Sequence, residues 1–116
     1  MIYEFTITTP ANTPESSKQK TVLKLEAGTI TDLKVLFPPG CAGLHYLQIC
    51  KGGHQIFPKQ LNYFRGDNVL LDFPSPDILL YDQPYELDAY TWNEDDTYDH
   101  SVDIYIEITR KGTFVE

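Results

Sequence analysis

The chain has 116 residues, a formal net charge of −8 and 41% hydrophobic residues, which is enough apolar material for one globular domain, residues 1–116, with its own core. The acidic charge disfavours nucleic acid or an anionic membrane surface as a partner, because both need a basic footprint. No apolar run approaches the roughly 20 residues of a membrane-spanning helix, so we expect no membrane partner.

The N-terminal stretch predicts a strand that begins almost at once. Tyr3, Phe5 and Ile7 alternate with polar residues, and a period of two is typical of a half-buried strand. The same stretch has no basic start, no long apolar run and no cleavage site, so we expect no signal peptide and synthesis in the cytoplasm. A loop rich in prolines and small polar residues, TPANTPESSKQ, follows.

The middle of the chain alternates short apolar runs with turn residues. Strands are predicted in KTVLKLE and TITDLKVLF, and the second should turn Leu33, Val35 and Phe37 inward. The segment PPGCAG should end that strand, since proline lacks an amide donor and glycine permits positive φ. LHYLQIC is predicted as the next strand, and a Gly-Gly turn should lead into a short strand, HQIF.

The C-terminal half supplies the remaining strands. VLLDF is predicted as a strand, PKQLNYFRGDN as a loop, and PSPDILLYDQP as a long connection, bounded by prolines, that crosses between sheets. YELDAYTWN and SVDIYIEITR are predicted as the last two strands, paired directly as a hairpin with Ile104 and Ile106 in the core. About eight short strands and no helical period predict an all-β, single-domain antiparallel β-sandwich, either jelly-roll or immunoglobulin-like.

The two cysteines should not form a disulfide. If residues 43–50 are one extended strand, at about 3.3 Å per residue, Cys41 and Cys50 lie well beyond the ~7 Å limit for Cα atoms in a disulfide. Free thiols also agree with synthesis in a reducing compartment.

The acidic stretch NEDDTYDH between the last two strands has two interpretations. Asp95, Asp96 and Asp99 are candidate calcium ligands, because calcium prefers carboxylate oxygens. The stretch lacks the glycine and the distal glutamate of a regular calcium loop, so the alternative is a solvated hairpin end. In that case Asn93 and Asp96 would make local hydrogen bonds to the backbone. We expect no required metal and no cofactor.

Several aromatic residues could form a platform for a sugar ring. Tyr90 and Trp92 alternate on one strand, Tyr98 follows in the loop, and Tyr105 could lie opposite on the partner strand. Core packing or a protein interface would use the same residues.

No catalytic constellation is evident, so we expect no enzyme. Cys41 with His45 or His54 could pair a nucleophile with a base, but Cys41 lies in a proline-glycine turn without an indicated Asn or Asp partner. Adjacent acids on a loop do not give the fixed separation across a cleft that glycoside hydrolysis needs. Nucleotide-binding and hydrolase motifs are absent.

Three segments, LFPPGCAGLHYLQI, HQIFP and PYELDAYTWNEDDTYDHSVDIYI, together resemble small all-β proteins found with tailed-phage structural genes. The resemblance spans most of residues 1–110. It implies an accessory protein, made in the host cytoplasm, that decorates or cements a capsid surface and has capsid or other virion proteins, or further copies of itself, as partners. It carries over no functional residue.

The sequence therefore favours a non-enzymatic module that binds other proteins, with a virion accessory protein as the particular expectation. A carbohydrate-binding or adhesion module that uses the aromatic residues around Trp92 is the alternative. If NEDDTYDH binds no metal, we expect its clustered negative charge to contact a basic patch on a neighbouring subunit.

Overall fold

The computed structural model describes residues 1–52, 54–58, 63–81 and 83–109, although not the side chains of Ser75 and Asp77. Within these ranges the elements are nine strands and one short 3₁₀ helix. In chain order they are β1 (Ile2–Thr9), η1 (Glu15–Ser17), β2 (Gln19–Lys24), β3 (Gly28–Phe37), β4 (His45–Lys51), β5 (His54–Phe57), β6 (Phe64–Arg65), β7 (Val69–Leu80), β8 (Glu86–Asn93) and β9 (His100–Thr109).

The strands form two antiparallel sheets that pack face to face. The first sheet has the order β1-β9-β3-β7, and the second has the order β2-β8-β4-β5, with β6 also paired to β4. The prediction of an antiparallel β-sandwich is therefore confirmed.

The strand order is that of a jelly roll. The pairs are nested along the chain: β1 pairs with β9, β2 with β8, β3 with β7, and β4 with β5 and β6. A long two-stranded ribbon that wraps around a core produces this nesting. Consecutive strands alternate between the sheets except for β4, β5 and β6, which lie together in the second sheet. Of the two topologies that the sequence left open, the described strands follow the jelly roll.

Period-two alternation places the core between the sheets. On β9 the inward side chains are Val102, Ile104, Ile106 and Ile108, all buried, and on β3 they include Leu33, Val35 and Phe37. The predicted inward faces of these two strands are confirmed.

The expected hairpin between the last two strands is wrong. β8 pairs with β2 and β4 in the second sheet, whereas β9 pairs with β1 and β3 in the first. Residues 94–99 therefore cross from one sheet to the other. The physical reason is that β9 lies between β1 and β3, where its apolar inner face is buried. A hairpin with β8 would not give β9 these two neighbours.

The expected connection PSPDILLYDQP is also largely strand. β7 continues through Pro74 and Pro76 to Leu80 and stays in the first sheet. Asp32 pairs with Pro74 but Ile30 pairs with Ile78, so β7 carries a bulge there. β7 is an edge strand, and prolines are tolerated at edges and bulges because no ladder hydrogen bond is lost.

Two other segments differ in part from expectation. The predicted loop PKQLNYFRGDN contains β6, and its residues 59–62 lie outside the described ranges, as does Gly53 of the predicted Gly-Gly turn. The pairing of Lys51 with His54 nevertheless makes β4 and β5 a hairpin. Cys41 and Cys50 are both buried, free thiols.

We expect Ile106→Ala to lower the free energy of unfolding by about 2–5 kcal/mol, because the side chain is 0% exposed and its loss leaves a cavity between the sheets. Urea denaturation measures the change. The neighbouring Glu107→Ala, on the exposed face, is the matched control and should shift stability by no more than about 0.5 kcal/mol. Equal effects of the two substitutions would contradict the inward orientation of Ile106.

Candidate functional site

A chain of buried polar groups lies at the end of the sandwich where β8 leaves the second sheet. His45 Nε2 is 2.8 Å from Thr9 Oγ1, and Thr9 Oγ1 donates to Thr91 Oγ1 at 2.8 Å. All three side chains are fully buried, and they come from three strands of the two sheets. Hydrogen bonding between them offsets the cost of removing polar groups from water and connects the sheets at this end.

The pKa of His45 is lowered to about 4, mainly because burial disfavours the charged imidazole. The neighbouring ring of His100, whose centroid is 6.4 Å away, lowers the pKa further, and the Ser101 backbone opposes the shift. His45 is therefore a neutral structural group at neutral pH.

Asn93 ties the crossing loop to this buried end. Its amide Nδ2 donates to the carbonyl oxygens of Thr9 at 3.2 Å and Tyr98 at 2.9 Å. Its Oδ1 accepts from the Asp95 amide at 3.0 Å. A fully buried side-chain amide with all three contacts fixes where residues 94–99 leave the sheet.

Asp95 organises the loop itself. Its Oδ1 accepts from the amides of Thr97 at 2.9 Å and Tyr98 at 3.3 Å, and its Oδ2 lies 2.8 Å from His100 Nε2. These contacts lower the pKa of Asp95, first through the Thr97 amide and then through His100. Of the two residues expected to bond the local backbone, Asn93 does so through the Asp95 amide, whereas Asp96 Oδ1 accepts from the Thr97 hydroxyl. The backbone contacts of Asp95 were not expected, and the stretch is not a hairpin.

The three candidate calcium ligands have separate partners. Asp95 contacts His100 and the loop amides, Asp96 Oδ1 accepts from Thr97 Oγ1 at 2.9 Å, and Asp99 Oδ1 accepts from the Ala11 amide at 2.9 Å. Among the described residues, no group of three or more His, Cys, Asp or Glu side chains could hold a metal ion.

The candidate nucleophile is buried as well. Burial raises the pKa of the Cys41 thiol, and Asp67 raises it further. A thiol in this state is less ionised than a free one, whereas a catalytic cysteine needs the thiolate.

The aromatic residues around Trp92 form a packed cluster on the outer side of the second sheet. Trp92 stacks on Tyr46 with centroids 5.2 Å apart, and Tyr63 meets both rings edge-on. Trp92 is only 1% exposed, so its face is not available for a sugar ring. Tyr46 and Tyr63 belong to this cluster but were not identified from the sequence, since the cross-strand pairing of Tyr46 with Trp92 brings them together.

Charged side chains cover and border the cluster. Lys18 Nζ lies 5.2 Å from the centroid of Tyr90 and 5.8 Å from that of Trp92. Tyr46 donates to Glu94 at 2.8 Å, and Arg65 donates to the Tyr46 hydroxyl at 3.3 Å. These contacts satisfy the polar tip of Tyr46 and complete a closed aromatic cluster.

The four aromatic residues selected from the sequence do not form one platform. Tyr90 and Trp92 lie on one face, as expected, but Tyr98 is in the crossing loop and is 67% exposed. Tyr105 is on β9 in the first sheet, opposite Glu4 of β1. The expectation that Tyr105 faces Tyr90 or Trp92 across a strand pair is wrong, because β8 and β9 belong to different sheets.

The most distinctive open surface is the outer face of the first sheet, which we call the acidic face. Its described charged side chains are five carboxylates and one lysine: Glu4, Asp32, Asp72, Asp103, Glu107 and Lys34. They come from all four strands of the sheet. The sequence shows the outward acids on β9, but only the order β1-β9-β3-β7 makes them neighbours of those on the other strands.

The one lysine of the acidic face is already paired. Lys34 Nζ lies 2.7 Å from Asp32 Oδ2 and 3.9 Å from Asp72 Oδ1. The Asp32 contact raises the pKa of Lys34, and the same contact lowers the pKa of Asp32. Glu4, Asp103 and Glu107 thus form an acidic strip along β1 and β9.

No protein-family model matches the chain, and no curated protein or solved structure matches it. Within the described ranges, no helix is long or apolar enough to cross a membrane.

We expect Trp92→Ala to lower the free energy of unfolding by about 3–5 kcal/mol, because a large ring buried between Tyr46 and Tyr63 is removed. Tyr98→Ala, at an exposed site, should change it by less than about 0.5 kcal/mol. Thermal or urea unfolding compares the two. A Trp92→Ala variant with wild-type stability would mean that the ring is not packed and is open to ligands.

Stability should fall by about 2 kcal/mol between pH 7 and pH 5 through His45 alone. The folded-state pKa of about 4 lies below the ordinary value of 6.5, so the unfolded chain binds the proton more tightly. The contribution of neutral His45 to the free energy of unfolding is therefore fully present above pH 6.5 and is lost as the pH falls towards 4.

Urea titrations of the wild type and of His45→Gln at both pH values test this dependence. The carboxylates with lowered pKa, Asp32 and Asp95, contribute at lower pH and do not interfere in this window. An equal pH dependence in both proteins would show that His45 is not the responsible group.

Proposed function

We propose that the protein is a non-enzymatic module that binds other proteins, and that it serves as a virion accessory protein that decorates or stabilises a phage capsid surface. The observation that carries the binding proposal is the acidic face, where five carboxylates and one lysine lie on a single sheet surface.

Charge on this face suits recognition of a basic protein surface. Complementary charge contributes more to the association rate and to specificity than to the affinity of a complex. Lys34 is closest to Asp32 and Asp72 and also attracts Glu107, so one lysine is shared among three carboxylates. Glu4 and Asp103 have no basic side chain beside them on β1 or β9. The partner surface should therefore carry lysines or arginines.

The capsid setting is supported by the resemblance and is compatible with the topology. Jelly rolls occur in viral capsid proteins, but also in lectins and cupins, so the fold by itself does not decide function. Many copies on one particle can act with small individual interfaces, because multivalency multiplies weak contacts.

The alternative, a carbohydrate-binding module, has less support. Its central stacking ring, Trp92, is covered by Tyr46 and Tyr63, whereas sugar recognition on an aromatic platform needs an open ring face. Tyr98 is exposed, but no second aromatic side chain among the described residues stacks with it.

Co-sedimentation with capsids assembled from the major capsid protein of the same genome tests the proposal. We expect the chain to sediment with the particles at about 50 mM salt and to be released as salt screens the charges. A triple variant, Glu4→Gln, Asp103→Asn and Glu107→Gln, should bind about tenfold more weakly.

A charge-matched control keeps the acidic face intact. Glu15→Gln, Glu86→Gln and Asp88→Asn remove the same net charge from η1 and the second sheet, and this variant should bind within about twofold of the wild type. Absence of sedimentation at low salt would contradict the capsid role. Equal weakening by both triple variants would contradict the acidic face as the site.

A further inference from the structure

Within the described residues the two sheets have four edges, and three of these edges carry features that discourage pairing with another chain. β7 has Pro74, Pro76 and a bulge. β2 carries Lys20 and Lys24, and the opposite edge of the second sheet is divided between the short strands β5 and β6. Prolines, bulges, lysines and short length are the devices that block edge-to-edge association.

β1 has none of these four features, and its one charged side chain is Glu4. It runs for eight residues without a proline, a lysine or a bulge, and it pairs one-to-one with β9 from Ile2 opposite Glu107 to Thr9 opposite His100. Its other side has no strand partner within the described part of the chain. β1 is thus a long, regular edge that remains open to pairing.

The alternation of hydrogen bonds between β1 and β9 shows which backbone amides and carbonyls of β1 face the open side. The Ile108 amide donates to the Met1 carbonyl at 2.8 Å, so alternate residues of β1 starting from Met1 bond to β9. The amides and carbonyls of Ile2, Glu4 and Thr6 therefore point away from the sheet. Thr8 lies in the same row, and its carbonyl accepts from Gln19 Nε2 at 3.1 Å, which closes that end.

We propose that the open edge of β1, residues 2–7, accepts an extended segment of a partner protein as an added strand, and that this segment alternates basic and apolar side chains. The inference deepens the proposed function and rests on it only in taking the partner to be a protein. Main-chain hydrogen bonds supply affinity in strand addition, and alternate side chains supply specificity.

The outer and inner faces of the first sheet at β1 determine which side chains should alternate along the added strand. On the outer side, Glu4 of β1 and Asp103 and Glu107 of β9 would attract basic side chains of the added strand. On the inner side, the rings of Tyr3 and Phe5 stack with centroids 6.5 Å apart and remain half-buried, so apolar side chains would complete their burial. An added strand with lysine or arginine on the outer face and aliphatic residues on the inner face fits both sides of the edge.

A second copy of the chain fits less well. Two β1 strands that pair antiparallel would place the acidic strips of two molecules side by side. With Glu4 at the centre of the pairing, the two Glu4 side chains would face each other directly, and like charges in that position are destabilising.

The test uses a synthetic decapeptide that alternates lysine and valine, added to the intact chain, with amide hydrogen exchange followed residue by residue. We expect new protection at the amides of Ile2, Glu4 and Thr6, whereas Tyr3 and Phe5 should already be protected by β9. A glutamate–valine decapeptide, of equal strand propensity and opposite charge, should bind at least about tenfold more weakly.

Backbone pairing is separated from simple charge attraction in two ways. Thr6→Pro removes an amide that points to the open edge and should weaken the lysine–valine peptide about tenfold, while Thr6→Val keeps the amide and should bind within about threefold of the wild type. A peptide N-methylated on its protein-facing amides keeps its charge and should also lose about tenfold, which tests pairing even if Thr6→Pro does not fold.

Failure of the lysine–valine peptide to protect Ile2, Glu4 and Thr6 would overturn the inference, as would equal binding of the N-methylated peptide. Protection of these amides that rises with protein concentration alone would instead identify a second copy as the occupant and would also overturn it. Capsid co-sedimentation is a separate measurement, so loss of the proposed capsid role and loss of the edge site are distinguishable.

Discussion

The placement of β9 between β1 and β3 is the constraint on which the rest of the structure depends. Its inner face, Val102 to Ile108 at every second position, seals one side of the core. Burial of these side chains supplies the main driving force, because apolar surface leaves water. The outer face then necessarily carries Asp103, Tyr105 and Glu107, since successive side chains of a strand alternate. Core and acidic face are thus two consequences of one strand.

The residues that look most reactive in the sequence have structural contacts in the fold. Asp95 bonds loop amides and His100, His45 contacts Thr9 in the buried polar chain, and Trp92 packs between two tyrosines. Most buried polar groups are hydrogen-bonded, and here several of them join the crossing loop to the end of the sandwich. The polar and titratable side chains lie at this end of the sandwich because residues 94–99 cross there from one sheet to the other.

Surface properties provide the better indication of function. The acidic face and the open β1 edge adjoin one another, since Glu4 belongs to both. One supplies long-range electrostatic attraction, and the other supplies directional main-chain hydrogen bonds, so a basic extended segment could use both at once. The proposal of a partner protein rests on this combination.

The sequence by itself determined the strands with regular alternation, the all-β class and the inward residues of β3 and β9, because a period of two is a local property of the chain. It also indicated the local hydrogen bond of Asn93 to the backbone, but not the role of Asp95. It did not determine that β8 and β9 separate, that β7 continues through Pro74 and Pro76, or that Trp92 is covered. These features depend on strand neighbours distant in sequence, such as Trp92 beside Tyr46 and Ile106 beside Leu33. Only the tertiary structure decided them, since pairing partners are selected by burial of both sheets at once and not by any one segment.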